Sequence, residues 1–438
     1  MKKLKNSIFF KISLIAIIAL LLLIPTSMIE SLIHERERTQ ERAIREVSSK
    51  WGEEQTISGP IITIPYYRYI KQYSEKDSLD KIVQIKEHVH FLPNELNIKG
   101  DIYPEKRYRG IYEIVVYNSK ISISGIFNNL KISDLDIPYK DILFDKAFIS
   151  LGISDLRGIE KQIDLNWNGN LLSFNPGTVT NDIISTGINT RIPLVKSDSS
   201  SYAFNFSLDL KGSQLLYFIP VGKVTNVTMN STWSNPSFNG SFLPDSRKID
   251  ESGFEANWNV LHLNRNFPQS WIGSNYSISS SAFGVDLLLP VDNYQKSIRS
   301  IKYAILFIAL TFMVFFFVEV LNKRFIHPVQ YILVGLALIV FYTLLLSLSE
   351  HMKYNIAFII SALSTLFLIS GYVKAILKSK PLTALIAGIL FILYGFIFVI
   401  IQLQDYSLLI GSIGLFIILG IVMYFSRKID WYDINMEK

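Results

Sequence analysis

Long apolar runs separated by short polar linkers fill the last part of the chain. Residues 301–426 hold five such runs, at about 301–321, 328–349, 355–377, 381–401 and 405–426. Each is about 20 residues long, the length a helix needs to cross a hydrocarbon core. A water-soluble helix carries one apolar stripe, whereas these runs are apolar on every side. Their connections are only a few residues long, which makes successive helices antiparallel neighbours. The spacing predicts a five-helix transmembrane bundle over residues 301–426. A sixth run lies at the other end, where residues 1–29 open with a basic stretch. They are then apolar from Ile8 to Ile29, with Lys11 as the one charge inside. That exceeds the core of about 7–15 residues in a secretory signal, and Thr26-Ser27-Met28-Ile29 makes a poor cleavage site. Residues 1–29 therefore read as an uncleaved transmembrane anchor, with Pro25 near its far end.

Between these membrane segments the period changes twice. Residues 30–55 read as a juxtamembrane helix. Glu41 and Arg45 stand four apart in the favourable order. Ile44, Val47 and Trp51 share one face, as on a solvated stalk with a small docking stripe. Residues 56–300 alternate apolar and polar positions in runs rich in Ile, Val, Tyr and Phe, the pattern of half-buried strands. Asn168-Gly169 between two such runs is a hairpin signal, and a second Asn-Gly lies at 239–240. Most prolines fall between runs. The expectation is a mostly-β, antiparallel, sandwich-like domain, in one or two units with a break near the polar segment 194–201. Residues 427–438 form a short tail, with Trp431 and Tyr432 suited to a membrane interface.

Composition narrows the partners. There is no cysteine, which excludes disulfides, thiolate metal sites and cysteine nucleophiles. The mean hydropathy is +0.29. The net charge of +6 is not spread evenly. Residues 30–300 hold 29 basic and 31 acidic side chains, so the excess of positive charge flanks the membrane spans. It sets topology, and no nucleic-acid partner is expected. One set of short flanks carries Lys2, Lys3, Lys5, Lys11, Lys323, Arg324, Lys374, Lys378, Lys380, Arg427, Lys428 and Lys438. The opposite short flanks carry Lys302 and Lys353. Positive residues stay on the cytoplasmic side, so both termini are expected there and residues 30–300 outside. The Asn-x-Ser/Thr sequons at Asn205 and Asn226 carry no information in an Asn- and Ser-rich segment.

Polar residues at the spans are the first candidates for function. Glu319 stands near the cytoplasmic end of the second span, with Lys323 and Arg324 close by to form a local ion pair. Glu350 and His351 close the third span at its outer face. A carboxylate beside an imidazole suits pH sensing or proton relay, although adjacent helical residues do not face each other. Interface capping is the plainer role. His327 precedes Pro328 in a short turn and reads as a loop residue. His88 and His90 share one face of a predicted strand, a spacing that could support metal binding, but two ligands without a visible third make a weak signal and no metal is expected. No Walker loop, dinucleotide fingerprint, HExxH or Gly-x-Ser-x-Gly elbow is present. No cofactor and no enzymatic activity are expected. Gly335, Gly371, Gly388, Gly395, Gly411, Gly414 and Gly420 suit close packing of the spans.

Several stretches resemble a known family. They are KYAILFIALTFMVFFFVEVL at 302–321, HPVQYILVGLALIVFYTLLLSLSEH at 327–351, SNPSFNGSFLPDSRKIDESGFEANW at 234–258, SGPIITIPY at 58–66 and RKIDWY at 427–432. Together with the one-plus-five arrangement of spans, they are similar to the inner membrane protein CreD family, also called cell envelope integrity proteins. The resemblance implies a multi-pass protein of the bacterial inner membrane. It further implies a role in envelope integrity, associated in some bacteria with the Cre two-component regulon, colicin tolerance and β-lactam resistance. It brings no catalytic residues, so Glu319, Glu350 and His351 stand as candidate functional polar residues only. The expected partners are the lipid bilayer and an envelope protein or cell-wall component met by the β-rich domain. A transporter or exporter using the six spans is the alternative.

Overall fold

The computed structural model describes residues 8–74, 79–196, 200–287, 289, 293–322, 324–403 and 406–427. Lys2, Lys3, Lys5, Lys323, Lys428, Lys438, Trp431, Tyr432 and the middle of the polar segment 194–201 lie outside the described residues. The chain forms two units, one of residues 1–41 and 291–438 and the other of residues 42–290.

The first unit is helical. Helices α1 (Ile8–Leu21) and α2 (Leu23–Trp51) open it, and α2 runs on into the second unit. After the β-rich region come α3 (Asn293–Lys302), α4 (Ala304–Leu321), α5 (Pro328–Ser349), α6 (Tyr354–Leu377), α7 (Lys380–Gln402) and α8 (Ser407–Ser426). Six helices, counting Phe9–Trp51 as one, are long and apolar enough to cross a membrane. Their arrangement is one N-terminal and five C-terminal.

The break between α1 and α2 falls at Leu22. Pro25 explains it, since it has no N–H and its ring crowds the carbonyl four residues back, at Leu21. The Thr26 hydroxyl donates to the Leu22 carbonyl at 2.8 Å, so the loosened turn keeps its partners. Helix α3 is amphipathic, burying Tyr294, Ile298 and Ile301 at helical spacing. It sits in a stretch that the alternation pattern had assigned to the β region. The glycines do not all serve close packing. A Cβ on Gly335 would meet Leu22 at 2.2 Å, and one on Gly414 would meet Phe396 at 2.1 Å. Gly371, Gly388, Gly395, Gly411 and Gly420 face open space, so for these five the expected close contact is absent. No residue of α8 is fully buried, which leaves most of this apolar helix for lipid to cover.

The second unit is a sandwich of two sheets. Its strands are β1 (Gln55–Ser74), β2 (Leu79–Phe91), β3 (Glu95–Arg109), β4 (Tyr112–Asn128), β5 (Phe148–Ile153), β6 (Asp164–Trp167), β7 (Asn170–Ser173), β8 (Asn175–Pro176) and β9 (Gly187–Arg191). They continue with β10 (Ser201–Ser213), β11 (Leu215–Ile219), β12 (Val224–Ser231), β13 (Pro236–Gly240), β14 (Ser246–Asp250), β15 (Gly253–Leu261), β16 (Ser270–Ile272) and β17 (Phe283–Leu287). The first sheet runs β13-β17-β11-β1-β5-β9-β8, with β2 on β1 and β16 on β2. The second runs β14-β15-β12-β3-β4-β10-β6-β7. Pairing is antiparallel except that β1 lies parallel to β11 and β12 parallel to β3.

Both sheets feed one core. Along β10 the alternation SYAFNFSLDL buries Tyr202, Phe204, Phe206, Leu208 and Leu210 and leaves Ser201, Ala203, Asn205 and Ser207 outside. Trp167 stacks on Tyr202 at 5.2 Å between ring centroids, and its indole N–H donates to the Pro193 carbonyl at 3.3 Å. Gln55 is fully buried and ties the sheets together, donating to the carbonyls of Asp155 (2.9 Å) and Lys211 (3.0 Å). Asn168 and Gly169, both at positive φ, make the hairpin turn between β6 and β7. The second Asn-Gly does not join neighbouring strands, because β13 ends there and pairs with the distant β17. The last residues of α2, from Arg42 on, belong to this unit. The indole N–H of Trp51 donates to the Tyr117 carbonyl at 3.3 Å, with Arg107 and Lys211 each 4.8 Å from its ring centroid.

Candidate functional site

Glu319 is fully buried near the end of α4. A buried carboxylate is costly unless donors surround it. Here they come from three directions. The Lys11 ammonium on α1 pairs with Oε1. The Ile326 backbone N–H donates to the same oxygen at 2.8 Å. The Tyr331 hydroxyl on α5 donates to Oε2 at 3.1 Å. Lys11 also lies 4.6 Å from the Phe325 ring centroid. The partner among the described residues is thus a lysine 308 positions away in sequence; Lys323, expected as a local partner, lies outside them. Arg324 contributes only its backbone N–H, to the Glu319 carbonyl at 3.0 Å. The α4–α5 connection is shaped for this contact. His327 caps α5, its Nδ1 accepting from the Val329 N–H at 3.3 Å, while Gln330 accepts from the His327 N–H at 3.0 Å. His327 is therefore a cap residue, beyond the loop role read from sequence.

Glu350 follows the last turn of α5, at the opposite end of that helix. Tyr331 and Glu350 are separated by about 30 Å of helix axis, so the two carboxylates do not share a site. The Tyr294 hydroxyl donates to Glu350 at 3.0 Å, and Arg36 lies 3.9 Å away. Asn293 donates to the Ser349 carbonyl at 2.6 Å, Tyr354 to the Lys296 carbonyl at 3.2 Å and Gln295 to Glu37 at 2.9 Å. These bonds knit α2, α3, α5 and α6 at one end of the helical unit. His351 is exposed in the following turn.

The two sheet histidines gain a partner that their spacing did not reveal. Asp182, between β8 and β9, places Oδ2 at 3.0 Å from His88 Nδ1 and 3.4 Å from His90 Nε2. His90 Nδ1 meets the Thr63 hydroxyl at 2.9 Å. Burial pushes the His90 imidazole down to about 4, against the pull of Asp182. Hydroxyl, imidazole and carboxylate in line invite a nucleophilic reading. Thr63 and His90 are, however, only 2% and 1% exposed, which leaves no room for a substrate. No group of three His, Asp or Glu suited to a metal ion occurs among the described residues.

The chain that forms these apolar helices, the buried Lys11–Glu319 pair and the β sandwich has counterparts among known proteins. The family model described as inner membrane protein CreD matches residues 7–432. This chain belongs to that family. A relative named inner membrane protein CreD, from Escherichia coli strain K12, is 36% identical, with 99% of this chain and 96% of the relative covered. The chain is accordingly a multi-pass membrane protein whose spans sit in a lipid bilayer, and its relative bears the name of a membrane protein, not of an enzyme. Among solved structures, an M1 zinc metallopeptidase from Deinococcus radiodurans covers 39% of this chain at 7% identity. Its TM-score of 0.20 is too low to indicate a shared fold.

Proposed function

We propose that this protein supports envelope integrity without catalysing a reaction. In this reading the helical unit is an anchor, and the β unit lies outside the cytoplasmic membrane, where it binds or senses an envelope component. Both termini are cytoplasmic, and tolerance of envelope stress, including colicins and β-lactams, is the outcome in the cell. The observation that carries this reading is the closure around Glu319. An intramembrane carboxylate that moves ions or protons needs access to water and an alternative partner. Among the described residues Glu319 has neither, since three donors fill it and no part of it is exposed. It serves as a clamp, which leaves the β unit of residues 42–290 as the part able to meet a partner.

Photo-crosslinkers placed on the β unit in living cells test the proposal directly. A defined envelope protein or cell-wall fragment should be captured, and deleting the β unit should sensitise cells to envelope stress. A reporter fused near residue 200 that is active only in the cytosol would overturn the topology. The transporter alternative rests on Glu350, whose side chain is 12% exposed beside Arg36. It requires Glu350→Gln to abolish activity at normal protein level.

A further inference from the structure

The outward face of the second sheet carries side chains that strands ordinarily avoid. Register sets Asn259, Asn226, Asn97, Ser124, Asn205 and Asn166 opposite one another in a single row across β15, β12, β3, β4, β10 and β6. The adjacent row holds Ser246, Asn257, Thr228, Lys99, Ser122 and Ser207. The residues between them, such as Ile98, Ile123, Phe206, Val227 and Trp258, are buried in the core, so both rows point away from it. Asparagine is depleted in strands because its amide competes for the backbone. Among polar residues, strands favour threonine instead. Five asparagines in one row run against local preference, and such violations concentrate where function requires them.

Four of the five amides in the first row are held in place before any ligand arrives. Asn226 donates to Asn97 at 2.9 Å, Asn259 donates to Asn226 at 2.6 Å, and Thr228 donates to Asn257 at 2.8 Å. Each locked amide still has an N–H or a lone pair to offer outward. Lys99 is the one charge in these two rows. With strands about 4.8 Å apart, six of them make a polar strip roughly 24 Å wide. The outward file of β3 continues from Asn97 and Lys99 through Asp101 to Tyr103, whose ring is 48% exposed. Tyr103 borders a cleft of about 530 Å³ with Asn118, Lys120, Lys161 and Asp209.

We propose that this face binds an uncharged glycan chain. Amides donate and accept at once, as sugar hydroxyls and acetamido groups do. The electron-rich face of an exposed Tyr suits the C–H side of a sugar ring. A nearly neutral strip gives a nucleic acid or another polyanion no counterion-release gain. Within the six-strand strip no side chain is apolar; beyond Asn166 the first row reaches Leu171 on β7, a single exposed leucine and not a patch that would dock a hydrophobic partner. The proposal rests on the reading that the β unit is extracytoplasmic, and it names the class of molecule met there.

The test uses the full chain in lipid nanodiscs, titrated with cellohexaose and with chitohexaose and followed by calorimetry. The two hexamers separate hydroxyl from acetamido recognition. The informative variant is Asn205→Thr with Asn226→Thr. Threonine suits a strand better than asparagine, so the melting temperature should hold or rise. At least one hexamer should bind, and losing two hydrogen-bonding amides should weaken that binding about tenfold. Tyr103→Ser should weaken it as well. No binding of either hexamer, or binding indifferent to both variants, would overturn the proposal. Concentration-dependent self-association that the double variant abolishes would also overturn it, assigning the face to a second copy. A cytosolic reporter result near residue 200 would remove the extracytoplasmic reading while leaving the binding measurement as it stands.

Discussion

The clamp around Glu319 makes a quantitative prediction. Lys11→Met removes the ammonium and leaves a carboxylate with 0% exposure and, among the described residues, two neutral donors, the Ile326 N–H and the Tyr331 hydroxyl. Stripping one partner from a buried ion pair costs about 3–5 kcal/mol, because the remaining charge keeps its full desolvation penalty. Glu319→Gln alone strands the ammonium, whose side chain is 13% exposed, and should cost somewhat less because Lys11 can reach outward. The double variant removes both charges and keeps a carbonyl oxygen for Ile326 or Tyr331. Its stability should return to within about 1–2 kcal/mol of the parent, which makes the two changes strongly non-additive. Helix loss on titrating sodium dodecyl sulfate into dodecyl maltoside micelles measures all three midpoints. An unchanged midpoint in Lys11→Met, or simple additivity in the double variant, would refute the buried pair. The same proteins separate anchor from transporter. A double variant that is stable and protects cells normally fits a clamp, whereas one that is stable but inactive would give the carboxylate a second task.

Three further outcomes follow from the packing and the titrating groups. Gly335→Val should drive a side chain into Leu22 and Phe312 and cost about 1–3 kcal/mol by overpacking, whereas Gly388→Ala, facing open space, should be neutral or slightly stabilising; detergent thermal melts compare them. Gln55→Leu should leave the Asp155 and Lys211 carbonyls without their buried donor and lower stability by about 2–3 kcal/mol, read as a lower denaturant midpoint for the β unit. His90 is held neutral in the fold down to about pH 4 but takes a proton near 6.5 when unfolded. The unfolded chain therefore binds more protons between those values, so stability is full above pH 6.5 and falls as pH drops toward 4. The loss approaches about 3 kcal/mol. Melting curves across that range should flatten in His90→Asn, and an unaltered pH slope in that variant would argue against the buried neutral imidazole.

Several features were legible because they are local. Runs about 20 residues long must be helices in lipid, where each backbone group has to find its partner within its own segment. The alternation in SYAFNFSLDL places the β10 core residues without knowledge of any neighbour. Asn168-Gly169 makes a hairpin because both residues tolerate positive φ. Longer-range features did not yield to the same reasoning. Arg324 was an obvious companion for Glu319, yet the carboxylate meets Lys11 on α1, 308 positions away in sequence. Seven glycines looked alike along the spans, and only the face each helix presents distinguishes Gly335 and Gly414 from the five in open space.

Sequence alone, then, determined the six helices, the sandwich-like middle region and the family, because length, period and contiguous motifs belong to single segments. Tertiary structure alone decided that Lys11 meets Glu319, that Asp182 joins His88 to His90, and that five asparagines from five strands fall into one row. Such meetings are set by strand register and helix rotation, in which a shift of one residue turns every side chain to another face.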